Sequence, residues 1–320
     1  MKSLYPLHGI VAVLNTPFTS SGSLDLTSLR NHVRYAMNAG VKGFLVPAMA
    51  SEVTKLSHRE RILMVETTLD TTNGIIPVIA GVSEESYTKG SKLLKSYLKL
   101  GCKEVLFQIP FHNEKQFKTH FLKLCDFQPE VIMLQDWDNL GYGLPDSLIL
   151  ELFNEVKNFR CLKIEVVPAS LKYSTILKLT NEKLIICGGW AVNHMIEGLQ
   201  RGVHAFMPTG MPYIYTQIYQ YYISGNYEEA EQLFSEILPV LAFSNQYLDI
   251  SIQFFKRLLF NQNLYKTSYV RQPTLSYDEI FEQRAIDLIN KVISLENYII
   301  KSRSGKETTS ENTLKYSLNE

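Results

Sequence analysis

Over its first two-thirds this 320-residue chain alternates regularly between short apolar runs and amphipathic stretches, and that rhythm restricts its fold more than any other feature. The runs occupy 9–14, 43–46, 76–80, 105–108, 131–135, 161–167, 184–187 and 205–207. They are short, rich in β-branched residues and apolar on both sides, as strands are when both faces of a parallel sheet are covered. The stretches between them carry helical signatures. Ser57-His58-Arg59-Glu60 has the form of a capping box, and Ile62, Leu63, Val65 and Leu69 follow at helical spacing. Eight strands, each followed by a helix within roughly 200 residues, match a (β/α)8 TIM barrel. An open, doubly wound sheet is the rival. The barrel is preferred because the strand number suits closure and no Gly-rich dinucleotide fingerprint follows the first strand.

From about residue 226 the strand pattern stops. Helices are expected over 227–242, 246–260 and 277–300, separated by loops holding Asn261, Asn263 and Pro273. The predicted organisation is a barrel over 1–225, a C-terminal helical region packed on it over 226–300, and a polar, disordered tail over 301–320.

Charge argues against several partners. Lys+Arg and Asp+Glu both number 32, so no basic surface for nucleic acid or for an anionic membrane is expected. No apolar run reaches membrane-spanning length, and the first six residues are too short and polar for a signal peptide. Cys102, Cys125, Cys161 and Cys187 form no CxxC pair, which fits a reducing cytoplasm and no disulfide framework. His, Cys, Asp and Glu show no metal-site spacing, so neither a metal nor another cofactor is expected.

In a barrel, chemistry gathers where strands end and loops begin at the C-terminal edge. Alternation along 161–167 sets Cys161, Lys163 and Glu165 on one strand face, opposite Leu162, Ile164 and Val166. Lys163 reads either as an amine nucleophile, which must be neutral to attack a carbonyl, or as half of a buried Lys–Glu pair. His112 is an acid/base or a loop histidine. Gln135 and Asp136 either orient a substrate through hydrogen bonds, or Asp136 caps the following loop. Gly188 and Gly189 present backbone amides to an anion, or simply make a tight turn.

Taken in order, several runs resemble the dihydrodipicolinate synthase and N-acetylneuraminate lyase family of class I aldolases. They are Gly9-Ile10-Val11 through Asn15-Thr16-Pro17-Phe18 with Gly22 and Asp25, then Glu52 through Arg61, then Pro77-Val78-Ile79-Ala80-Gly81-Val82. The resemblance covers about residues 8–210 and aligns Lys163 with the family's Schiff-base lysine. It implies a (β/α)8 barrel, a homo-oligomer (dimer or tetramer), and a small 2-oxo acid such as pyruvate as substrate. The departures are specific. Ala48-Met49-Ala50-Ser51-Glu52 stands where the family has glycine-threonine-threonine-glycine-glutamate, leaving backbone donors and Ser51 to hold a substrate carboxylate. Gln135 replaces the proton-relay tyrosine of the fifth strand, and His112 aligns with the second tyrosine, which usually comes from a neighbouring subunit. The arginine expected after the fifth strand is absent from Asp138-Asn139-Leu140-Gly141-Tyr142.

Two functions follow from these matches and losses. One is a Schiff-base lyase, aldolase or dehydratase, with Lys163, Glu165, Gln135 and His112 catalytic and Met49, Ala50, Ser51, Asp136, Gly188 and Gly189 binding substrate. The other is a catalytically silent barrel used for binding or regulation. A metal-dependent sugar-phosphate barrel ranks behind both, for want of ligands and a phosphate loop.

Overall fold

The computed structural model describes residues 7–303. Eight parallel strands close on themselves in sequence order: β1 (Gly9–Val13), β2 (Gly43–Val46), β3 (Val78–Ser83), β4 (Glu104–Gln108), β5 (Val131–Asp138), β6 (Phe159–Val166), β7 (Ile185–Gly188) and β8 (Ala205–Phe206). Closure is made by Gly9 and Ile10 of β1, which pair with Ala205 and Phe206 of β8. The open-sheet alternative is thereby removed.

Period-2 alternation divides the apolar residues into two sets. Val11, Leu45, Ile79, Leu106, Met133, Cys161 and Cys187 fill the barrel interior. Their neighbours Ile10, Phe44, Phe107, Leu134, Leu162, Ile186 and Phe206 point outward, into the layer under the helices. Close filling of the interior shapes the backbone at Gly81, where a Cβ would lie 1.9 Å from the Pro47 carbonyl oxygen. Any larger residue there would push β3 away from the end of β2.

The outer ring is α1 (Leu26–Ala39), α2 (His58–Thr72), α3 (Tyr87–Lys99), α4 (Glu114–Cys125), α5 (Asp146–Glu155), α6 (Ala169–Leu179), α7 (Met195–Gln200) and α8 (Pro212–Ile223). The capping box at α2 forms as its sequence predicts. Ser57 Oγ accepts from Glu60 N at 3.3 Å, and Glu60 Oε2 accepts from Ser57 N at 2.8 Å.

Three further helices follow: α9 (Tyr227–Ser244), α10 (Leu248–Asn261) and α11 (Glu279–Arg303). They are tied to the barrel by buried polar contacts as well as by apolar packing. Glu296 of α11 accepts from Tyr35 of α1 at 2.7 Å, from the Tyr213 amide at the start of α8 at 2.9 Å, and from Gln262 at 2.6 Å. Lys256 of α10 meets Glu52 at 2.7 Å, with both side chains fully buried. Helix α11 runs on through Arg303, so 301–303 are helical where a disordered tail was expected. The rest of that expectation, 304–320, lies outside the described residues. No helix among the described residues is long and apolar enough to cross a membrane.

Candidate active site

A narrow cleft opens at the C-terminal end of the barrel. Its floor comes from the strand ends, through Val13, Lys163 and Met207, and its far wall from α9 and α10. The appended helices are therefore part of the site.

Strand register carries Lys163 to this position. It stands between Gln135 on β5 and Cys187 on β7, with its side chain directed inward. Glu165 is one inward step nearer the mouth, paired with Trp137. The two side chains meet: Lys163 Nζ donates to Glu165 Oε2 at 2.9 Å, and both are nearly buried. Gln135 Nε2 donates to the same carboxylate oxygen. The backbone amide of Trp190 donates to Glu165 Oε1 at 2.7 Å. Gly189 makes room for this arrangement, because a Cβ there would lie 2.3 Å from Glu165 Oε1. An amine thus sits at the floor of an open cleft, hydrogen-bonded to a carboxylate whose orientation is fixed by a side-chain amide and a backbone amide. Beside Lys163 on β7, the Cys187 thiol is pushed up to about 12 by burial, so it stays protonated.

The remaining sequence candidates separate. Met49, Ala50 and Gly189 line the cleft. Ser51 does not offer its hydroxyl to it: Oγ donates to the Leu14 carbonyl at 2.5 Å and accepts from the Ala48 amide at 2.9 Å, bracing the turn from inside. Asp136 is one residue out of phase with Gln135 and faces outward. It accepts from the Leu144 amide at 2.8 Å and pairs with Lys172 of α6 at 2.5 Å, holding the β5–α5 loop. That is the loop-pinning alternative, in place of substrate binding. Gly188 also faces outward; a Cβ on it would press on Phe206 and on Tyr173 Oη, both about 3 Å away. His112 is exposed on the loop before α4 and does not line the cleft of its own chain.

Sequence reasoning missed most of the upper walls. Trp137 and Trp190 stack with centroids 5.2 Å apart and planes 9° from parallel, and both line the cleft. Trp137 was legible, since it follows Gln135 by two residues on the same strand face. Leu241, Leu248, Ser251 and Phe255 lie more than 75 residues beyond Lys163, on helices whose periodicity marks only a buried side. Among the described residues no group of three or more His, Cys, Asp or Glu is arranged to hold a metal ion.

Comparison with known proteins agrees with this architecture. The Dihydrodipicolinate synthetase family matches residues 6–291. A 4-hydroxy-tetrahydrodipicolinate synthase of Methanopyrus kandleri is 24% identical over 242 residues, 74% of this chain and 81% of its own length. An L-2-keto-3-deoxyarabonate dehydratase of Azospirillum brasilense is 25% identical over 256 residues, 77% and 82% respectively. The crystal structure of dihydrodipicolinate synthase from Rhodopseudomonas palustris superimposes with a TM-score of 0.81 at 20% identity, covering 89% of this chain and 97% of that one. With the family matched across the barrel and into α11, this chain belongs to the dihydrodipicolinate synthetase family.

Proposed function

We propose that the protein is a Schiff-base-forming lyase, an aldolase or dehydratase, acting on a 2-oxo acid such as pyruvate or a sugar-derived oxo acid, with a specificity changed from that of dihydrodipicolinate synthases. The observation that carries this reading is the 2.9 Å contact of Lys163 Nζ with Glu165 inside an open cleft. Nucleophile and proton acceptor stand at hydrogen-bonding distance. Glu165 takes a proton from the ammonium group. The neutral amine attacks the carbonyl carbon, one of its own protons passes to the carbonyl oxygen, and the Glu165 carboxyl returns its proton as water leaves to give the iminium. Gln135, an amide, moves no proton at neutral pH and serves to orient Glu165. The substrate carboxylate is left with the backbone donors of the Met49–Ala50 turn, because Ser51 Oγ is engaged elsewhere.

Borohydride trapping with a panel of 2-oxo acids tests the reading: one reduced adduct per chain is expected, on the peptide containing Lys163. Turnover of the ordinary dihydrodipicolinate synthase substrates is expected to be very weak, since Met49, Ala50 and Gln135 supply no hydroxyl relay, a device that contributes about 10²- to 10⁴-fold. A catalytically silent binding protein is the second reading. It is favoured by the three donors that converge on Glu165 and leave its carboxylate fully engaged within the protein. Absence of any trapped adduct across the panel selects it. As in the family resemblance, a homo-oligomer is proposed, with His112 standing at a neighbouring copy's cleft, and sedimentation velocity reports the assembly. The free thiols among the described residues fit a cytoplasmic setting.

A further inference from the structure

The cleft has two unlike ends. Lys163 and Glu165 are the only charged side chains among the described residues that line it, and they face each other. Opposite them, α9 and α10 contribute Leu241, Leu248 and Phe255, while Met49 and the Trp137–Trp190 stack stand beside the pair: the Met49 sulfur is 3.8 Å from Gln135 Nε2, and the Trp190 amide donates to Glu165. The polar atoms at this far end are neutral, and some are already committed: Asn245 Nδ2 donates to Asn193 Oδ1 at 2.5 Å. Ser251 and Thr209 contribute hydroxyls at the edge.

We infer that the half of the substrate distal to the imine is uncharged and apolar, an aromatic or branched aliphatic aldehyde, and neither a carboxylate-bearing nor a polyhydroxylated one. The inference rests on the Schiff-base reading for its chemistry and on the far wall for its selectivity. The donor's own carboxylate has the backbone of the Met49–Ala50 turn to bind. A second anion at the far end meets no cation there, so desolvation opposes it. A chain of hydroxyls meets Leu241, Leu248 and Phe255, with only the hydroxyls of Thr209, Tyr215 and Ser251 to partner it, and hydroxyls buried without partners weaken binding. A flat apolar group gains burial against Leu248 and Phe255 and a ring face on the tryptophans.

The Lys163 iminium of the oxo acid loses a C3 proton to Glu165 and becomes an enamine. C3 then bonds to the aldehyde carbon while the aldehyde oxygen takes that proton back. Water hydrolyses the iminium, releasing the hydroxy-oxo acid and restoring the lysine amine. Cleavage is the reverse and releases the same aldehyde.

The chain's two tryptophans are both in this stack, so its tryptophan emission reports on this one site. Titration of the full-length protein with benzyl alcohol, an unreactive neutral aromatic probe, should change the emission with an affinity at least about tenfold tighter than glycerol or succinate shows. Equal or tighter binding of glycerol or succinate overturns the inference. In turnover with pyruvate, benzaldehyde should exceed glyceraldehyde and succinic semialdehyde by at least about tenfold in kcat/KM, and the reverse order also overturns it. Leu248→Arg, which puts a cation on the far wall, should move the preference toward succinic semialdehyde by about tenfold or more; a folded variant with unmoved preference counts against the assigned wall. The two readings separate cleanly. Benzyl alcohol binding without any pyruvate adduct on Lys163 defeats the Schiff-base reading and leaves the selectivity standing. An adduct with the opposite aldehyde preference does the reverse.

Discussion

The β5–β6 strand pair carries a lysine–carboxylate pair on each of its faces. Inside the barrel, Lys163 meets Glu165 at 2.9 Å. Outside, Lys172 reaches Asp136 at 2.5 Å. Both are buried and hydrogen-bonded, so proximity of an amine to a carboxylate does not tell them apart. Commitment of the donors does. Lys172 Nζ is saturated: besides Asp136 it donates to the carbonyls of Tyr142 at 2.7 Å and Leu144 at 2.6 Å, and it lies 4.5 Å from the Tyr142 ring centroid. The outer pair closes a loop onto a strand, and no carbonyl compound can reach it. Lys163 instead donates to Glu165 from the border of a cleft. On the proposed reading, access to the cleft and uncommitted donors are what set Lys163 apart. Burial alone gives the outer pair, a brace.

The largest effect that tests this contrast is the loss of one lysine at a time. Lys163→Ala should abolish imine trapping while leaving the melting temperature close to that of the wild type, because the cleft can admit water to Glu165. Lys172→Met should act the other way. It leaves Asp136 and two carbonyls buried without their cation, and breaking a buried pair costs about 3–5 kcal/mol. Denaturant unfolding of both variants, alongside borohydride trapping, reads the two effects. A catalytically competent Lys163→Ala protein breaks the contrast.

The carboxylates sharpen it. Glu165→Gln should keep the fold and slow turnover by about 10²- to 10⁴-fold, the range typical of a positioned proton carrier. Asp136→Asn should leave single-turnover rates within a few-fold and lower the unfolding free energy instead. If Glu165→Gln loses stability with an unchanged chemical step, the inner pair is a brace as well.

Part of this contrast is legible in the amino-acid sequence alone. Alternation along 161–167 puts Lys163 and Glu165 on one face, and the observed register agrees. Strand and helix placement follows from periodicity, since each apolar run is buried on both faces and β2 falls on residues 43–46 as its sequence suggests. Asp136 differs: the same alternation that places Gln135 inward turns its neighbour outward, away from any substrate. Ser51 is harder. Its hydroxyl is consumed by Leu14 and Ala48 through a short turn whose geometry no local pattern encodes. The far wall was illegible for a plainer reason: α9 and α10 reach the cleft by tertiary packing, and an apolar helix face does not say what it will cover.

A third buried pair gives an intermediate case. Lys256 of α10 and Glu52 are both fully buried at 2.7 Å, and desolvation draws the lysine down from 10.5 to about 8 despite the carboxylate. The unfolded chain therefore holds this proton more tightly than the folded one between pH 8 and 10.5. Stability from this group is complete above pH 10.5 and is lost as pH falls through about 8. At about 1.36 kcal/mol per pKa unit the swing is of order 3 kcal/mol. Difference melting curves of the wild type and Lys256→Met across pH 7–10.5 should show it, and a pH-independent difference counts against a strained ammonium at this position.

The smallest expected effect belongs to a pair nearer the surface. Arg271, between α10 and α11, donates through Nη2 to Glu60 Oε1 at 2.5 Å and to the Gly22 carbonyl at 2.7 Å, and its guanidinium lies 4.2 Å from the Phe18 ring centroid. The Arg271 hydrogen bond is the main cause that holds the Glu60 carboxyl down at about 2, against an ordinary 4.5. With the folded value depressed, the contribution is fully present above pH 4.5 and disappears as pH falls toward 2. Both side chains keep about a fifth of their surface in water, so solvent and salt screen the pair and its contribution is small. Glu60→Gln should therefore lower the melting temperature slightly at pH 7 and low salt. That deficit should shrink in high salt and close as the pH approaches 2. The Lys172→Met deficit should persist in high salt, because its partner is sealed from the ions that screen Glu60. If the two deficits respond alike to salt, burial does not separate these pairs and the contrast drawn between the two faces of β5–β6 loses its physical basis.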